Sequence, residues 1–301
     1  MRLKLWLRLD PMQASSTSGA LALAALASPL SLLFIMLCAG PVSTIDVYSF
    51  CGSNMAKAFK PFATGPIDRV VILGPSHHVD FQGCALTTAS LFETPLGKLQ
   101  VDTESVQQLH SSGKFPYFPL HFDEAEHSIE MHLPMLQTIL GQEACRTVKV
   151  LSVVVSKLST DMQKDYAKEL SEYCKGEGVR VCLSSDFCHW GPRFQYFNLP
   201  ADAEPGKTLS EQIERLDRAG VEAIATGDPQ IFREYIESTK NTICGQIPIL
   251  IFMEMANMLG WDCSYNLVSY DRSWEHIDPD DSSVSYVACH IRKRSSQKRV
   301  D

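Results

Sequence analysis

The chain has 301 residues, 45% of them hydrophobic, with 27 basic against 35 acidic side chains and a formal net charge of −8. That length lets a single α/β domain bury a large core without disulfide or metal staples, and the composition excludes fibrous, disordered and small disulfide-framework classes. A pI of about 5.6 argues against a nucleic-acid partner, which needs a basic face to neutralise phosphates.

Ten cysteines are scattered with no CxxC pair, which reads as free thiols in a reducing compartment and hence as a cytoplasmic protein. The first residues complicate that reading. Residues 19–39 (GALALAALASPLSLLFIMLCA) are uncharged and long enough to span a bilayer, and MRLKLWLRLD before them carries Arg2, Lys4 and Arg8. A membrane anchor over 19–39 is therefore the alternative, and the only reason to expect a membrane partner. Residues 1–44 read as an atypical apolar segment, a signal anchor or the product of an altered first exon, of which residues 1 to about 42 add nothing to the core and form at most a loosely attached helix.

Beyond it, strands and helices alternate. Residues 69–74 (RVVILG), 148–155 (VKVLSVVV) and 179–183 (VRVCL) are short apolar runs of the kind that form fully buried strands. Thr160 with Gln163 signals a helix start, and Met162, Tyr166, Leu170 and Tyr173 continue at helical spacing. Asp228 and Pro229 begin another helix, and a third is expected from Pro248 to Gly260. Alternating segments over 264–270 and 283–291 close the pattern as strands. The predicted fold is an α/β single-domain sandwich around a mixed central sheet with helices on both faces, covering 45–291. Residues 292–301 form a basic tail expected to be disordered.

Two predicted strands end in histidine-bearing polar turns. RVVILG leads to His77 and His78, and VRVCL leads to Asp186 and His189. Ligand sites in open α/β sheets collect at such carboxyl ends. A third cluster holds Asp123, Glu124, Glu126, His127, Glu130 and His132. Its acidic run reads as a solvated face, and His127 and His132 stand about 140° apart on a helix, too far round to share a metal. Cys244 precedes a predicted helix start, where a thiolate is favoured.

The motifs GPSHH (74–78), DEAEHSIEMHLP (123–134), SSDFCHWG (184–191), NTICG (241–245) and DSSVSY (281–286), in this order, resemble the Memo family. That family is named for mediating cell motility driven by receptor tyrosine kinases. The resemblance implies a fold similar to class III extradiol dioxygenases of the LigB type, although a fold does not confer an activity. It also implies metal ligands at His78 and Cys244, with His77, Asp186, His189 and Arg193 around the pocket. The family's PHAGYTYCGS aligns with TIDVYSFCGS, so Ile45 stands where a third ligand is expected.

A thiolate with imidazole suits copper or iron, bound weakly here because that ligand is missing. The implied function is a metal-binding redox and signalling protein whose pocket or rim takes phosphotyrosine-containing receptor peptides. The alternative is a metal-dependent oxidoreductase or dioxygenase acting on a small molecule. Extradiol ring cleavage itself is not expected, because a cysteine replaces the carboxylate of the usual two-histidine, one-carboxylate set.

Overall fold

The computed structural model describes residues 2–4, 31–35, 44–200, 205–275 and 277–294, with backbone alone for those before residue 48. Its strands are β1 (Arg2–Lys4), β2 (Ser31–Ile35), β3 (Arg69–Pro75), β4 (Cys84–Leu86), β5 (Leu91–Thr94), β6 (Gly97–Val101), β7 (Lys149–Val155), β8 (Val179–Leu183), β9 (His189–Trp190), β10 (Cys263–Arg272) and β11 (Ser283–Lys293). The main path of the sheet runs β1-β5-β6-β7-β3-β8-β2-β11-β10, with β4 added to β7 and β9 to β11. The helices are α1 (Thr44–Phe59), α2 (Thr103–Ser111), α3 (Leu120–Asp123), α4 (His127–Glu130), α5 (His132–Ala144), α6 (Thr160–Ser171), α7 (Leu209–Ala225), α8 (Pro229–Thr239) and α9 (Gln246–Met258).

The predicted α/β sandwich is the observed one. Strands β6, β7, β3 and β8 are mutually parallel, and β10 and β11 pair antiparallel, so the sheet is mixed. The three apolar runs fall on β3, β7 and β8, which are buried along nearly their whole length because helices cover them. Helix α9 packs over β3 and against α6 and α8, while α1 and α5 pack on each other, α1 also meeting β2, β10 and β11. All nine cysteines among the described residues are free. No helix of the described residues is long and apolar enough to cross a membrane.

Several boundaries differ from the sequence reading for local reasons. Helix α6 is capped by Ser159, whose hydroxyl accepts from the Met162 amide, rather than by Thr160. Helix α9 starts two residues before Pro248, which is tolerated because the first turn needs no amide donor there. Strand β11 continues to Lys293, two residues into the expected tail, and 295–301 lie outside the described residues.

The apolar N-terminal segment also differs. Residues 31–35 are not helical; they form β2, parallel to β8 and antiparallel to β11. Without that strand the facing edges of β8 and β11 would expose unpaired backbone groups in the middle of the sheet. The sheet thus takes β1 and β2 from the 1–44 segment set apart from the 45–291 domain. The rest of that segment, including most of the candidate anchor over 19–39, lies outside the described residues.

The end of β3 is held against α4 by a contact that only glycine permits. A Cβ on Gly74 would meet the Ser128 hydroxyl at 2.6 Å and Ile129 Cδ1 at 2.9 Å. Ser128 uses that hydroxyl to donate to the Pro75 carbonyl at 2.8 Å. Gly74→Ala is therefore expected to push α4 off the strand and destabilise the fold by about 2 kcal/mol. Urea unfolding checks this through a lowered midpoint at an unchanged m-value.

Candidate functional site

The carboxyl ends of β3 and β8 lie side by side, because the two strands pair in parallel from Arg69 with Val179 to Leu73 with Leu183. The turn after β3 carries His77 and His78, and the turn after β8 carries Asp186 and His189. Two further segments close the pocket: α4 packed on β3, and residues 241–245 at the start of α9.

Glu126 organises the first half. Its side chain is fully buried, and it caps α4 by accepting from the Ser128 amide at 3.0 Å. It accepts the His77 backbone amide at 2.7 Å and meets His77 Nδ1 at 2.9 Å. Burial pushes the His77 ring down, but hydrogen bonds with Cys244 and Glu126 outweigh it and raise its pKa to about 10. Burial raises Glu126, and its bonds with the His77 ring and amide outweigh that and lower it to about 2. His127 stacks on His77 with ring centroids 4.5 Å apart, and burial together with the His77 charge lowers it to about 4. His77, Glu126 and His127 each offer an atom within 4.8 Å of the others.

The acidic run is thus not a solvated face. Only Glu124 points out; Asp123 and Glu130 are buried, and burial pushes them up to about 6 and about 7. Asp123 is compensated by the Thr87 hydroxyl, which donates at 2.6 Å. His132, as the spacing indicated, points elsewhere: it is fully buried, with Nδ1 3.5 Å from the Cys182 sulfur.

Cys244 organises the second half. It is half-buried, next to Gly245, the N-cap of α9, and its sulfur accepts from the Asp186 amide at 3.0 Å. A Cβ on Gly245 would lie 2.4 Å from the Ser184 carbonyl oxygen and 2.4 Å from Ser185 Cβ, so glycine is what lets the two loops touch. His189 Nδ1 lies 3.0 Å from the carbonyls of both Phe187 and Thr242. Two carbonyl acceptors mark Nδ1 as a donor, and Nε2 lies 3.7 Å from Asp186 Oδ2.

The structure places the sequence-predicted residues as follows. His77, Asp186, His189 and Cys244 belong to one connected group. His78 is exposed and meets the His127 ring edge-on at 5.9 Å. Arg193 is exposed over the Phe194 ring, itself edge-on to His189. Ile45 falls in the first turn of α1, and its side chain lies outside the described residues. Glu126 and His127 were not singled out as site residues. The available signal was an acid two residues before Ser128 at the head of a short helix, the pattern of a side-chain cap.

A model of the Memo-like protein family matches residues 46–290. The chain belongs to the Memo-like family. It is 38% identical over 245 residues to the "Protein memo-1 homolog" of Caenorhabditis elegans, covering 80% of this chain and 69% of that one. It is 37% identical over 245 residues to "Protein MEMO1" of Homo sapiens, covering 80% of this chain and 81% of that one. The crystal structure of the uncharacterized protein JW3007 from Escherichia coli K12 superposes with a TM-score of 0.50 over 87% of this chain and 99% of that one. At 10% identity it speaks for the fold of this Memo-like chain alone.

The electrostatics of the pair give a direct test. The raised His77 contributes stability that is fully present below its unfolded pKa and lost as pH rises towards about 10. The lowered Glu126 contributes stability present above its unfolded pKa and lost as pH falls towards about 2. Ring NMR is expected to find His77 charged at pH 8 and His127 neutral at pH 6. In Glu126→Gln both midpoints should fall, because the carboxylate charge raises both rings and His77 is still charged where His127 titrates.

Proposed function

We propose that this Memo-like protein binds copper or iron in the pocket through Cys244 and the imidazoles of His77 and His127, and acts in redox-linked signalling. The observation that carries the reading is that His77, His127 and Glu126 offer atoms within 4.8 Å of one another, with Cys244 hydrogen-bonded to the His77 ring. Glu126 already accepts three hydrogen bonds from His77 and Ser128. It therefore orients the ring by its Nδ1 and leaves Nε2 for a ligand, the role carboxylates play behind metal-bound histidines. His78, beside His127, is a further imidazole for the set.

The residues fit such an ion chemically. Two nitrogens and a thiolate favour copper or iron over magnesium or calcium. His127 is neutral at physiological pH and has a lone pair to give. His77 must lose a proton first, so binding competes with protonation. With Ile45 where the family resemblance implies another ligand, affinity is expected to be low. A bound ion would supply redox chemistry or an open coordination position. The protein's own contribution is to orient His77 through Glu126 and to hold the Cys244 sulfur on the Asp186 amide.

A second reading, metal-dependent oxidation of a small molecule, draws support from the two imidazoles and one carboxylate of His77, His127 and Glu126, the donor types of non-haem iron oxygenases. The bonds already made by Glu126 count against it. On the partner side, we infer that phosphotyrosine-containing receptor peptides bind at the rim. The supporting feature is Arg193, exposed 5.6 Å over the Phe194 ring. The free thiols support a cytoplasmic setting.

Anaerobic titration with Fe(II) and Cu(I) tests the metal reading. Binding should release protons and strengthen from pH 6 to pH 8, and Cys244→Ser and His77→Ala should each weaken it by about tenfold or more. Equal affinity in the wild type and both variants would refute the assignment. Oxygen consumption with a catechol and Fe(II) would favour the second reading. Fluorescence anisotropy should show a phosphotyrosine peptide binding more tightly than its unphosphorylated form, with the difference lost in Arg193→Ala.

A further inference from the structure

Helix α7 carries a charge where its sequence pattern demands an apolar side chain. Ile213, Leu216, Gly220, Val221 and Ile224 form its buried face, and Asp217, in the middle of that face, is fully buried. A carboxylate at such a position is costly unless several donors converge on it. Four do.

Asp217 Oδ1 accepts from the Cys188 backbone amide at 3.1 Å and from Asn241 Nδ2 at 3.1 Å. Oδ2 accepts from the Tyr270 hydroxyl at 3.0 Å, and Ser285 also donates to the carboxylate. The first two partners decide what the residue does. Cys188 lies in the loop that carries Asp186 and His189, and Asn241 lies three residues before Cys244. Ser285 extends the hold, because its backbone brackets the same loop: Phe187 donates to the Ser285 carbonyl at 3.0 Å and Ser285 donates to Cys188 at 2.9 Å. The two loops also touch directly, with the His189 amide donating to the Thr242 hydroxyl at 2.7 Å.

We propose that Asp217 is the positioning residue of the pocket: from outside it, one buried carboxylate clamps the 184–191 loop to the 241–245 loop and so sets Cys244 against Asp186 and His77. The consequence for ligand binding rests on the metal reading above, whereas the clamp itself does not. Asp217→Asn keeps the oxygen that Cys188 and Asn241 share, and Tyr270 can turn to accept from the new amide while donating to Ser285. Asp217→Ala removes both anchors at once.

Co(II) alone serves as the probe, read by titration and by the thiolate charge-transfer band, alongside amide hydrogen exchange of the same proteins. In Asp217→Ala, exchange in 184–191 and 241–245 should accelerate about tenfold while β7 is unchanged, and Co(II) affinity should fall about tenfold. Asp217→Asn should restore both towards the wild type. Asp102→Ala is the control for general destabilisation: it breaks the Arg69 ion pair at the opposite end of β3 and should leave both loops and Co(II) binding alone. Unchanged loop exchange in Asp217→Ala, or equal effects from Asp102→Ala, would overturn the proposal. If the wild type itself takes up no Co(II), the metal reading falls and the exchange measurement still judges the clamp.

Discussion

Strands β3 and β8 run parallel and adjacent at the centre of the sheet, and the rest of the pocket depends on that pairing. Parallel strands in register finish at the same level, so the turns that follow them face one another across a crevice. Here the turns are 76–80 and 184–188, more than a hundred positions apart in the chain. The crossing chain between them supplies β7 and α6, on which the α9 cover of β3 packs, and it also supplies α4. Because Gly74 lets α4 approach β3 without a side chain in the way, Glu126 arrives beneath His77 rather than in solvent.

Buried charge is the second constraint. Glu126 and Asp217 are both taken out of water, and each is tolerated because backbone amides and polar side chains converge on it. Their consequences differ. Glu126 keeps its charge by pairing with His77, so it fixes a ring and that ring's protonation. Asp217 is pushed up to about 6 by burial, against donors from four separate segments, so it fixes backbone. A hydrophobic residue at either position would leave those buried donors unpaired and orient nothing.

Much of this was legible in the sequence. The runs RVVILG, VKVLSVVV and VRVCL are apolar throughout, which only a strand covered on both faces requires, and they became β3, β7 and β8. Asp228 and Pro229 marked the start of α8 through local capping physics. The ordered motifs from GPSHH to DSSVSY carried the family. Such features are set within a few residues and need no knowledge of what lies across the fold.

What only the tertiary structure decided depends on partners distant in sequence. Neither histidine of the HH pair is marked by periodicity as the one that pairs with a buried acid, because both lie in a turn; the carboxylate of Glu126, 49 positions away, selects His77. The acidic run around Glu126 has the composition of a surface, and only the packing of α4 on β3 buries it. Residues 31–35 read as part of an apolar span until the unpaired edges of β8 and β11 claim them as a strand. Asp217 looks like one more charge on an amphipathic helix until its four donors come together. Composition and spacing determine the elements and the chemistry available; long-range packing decides which polar groups lose water, and those become the site.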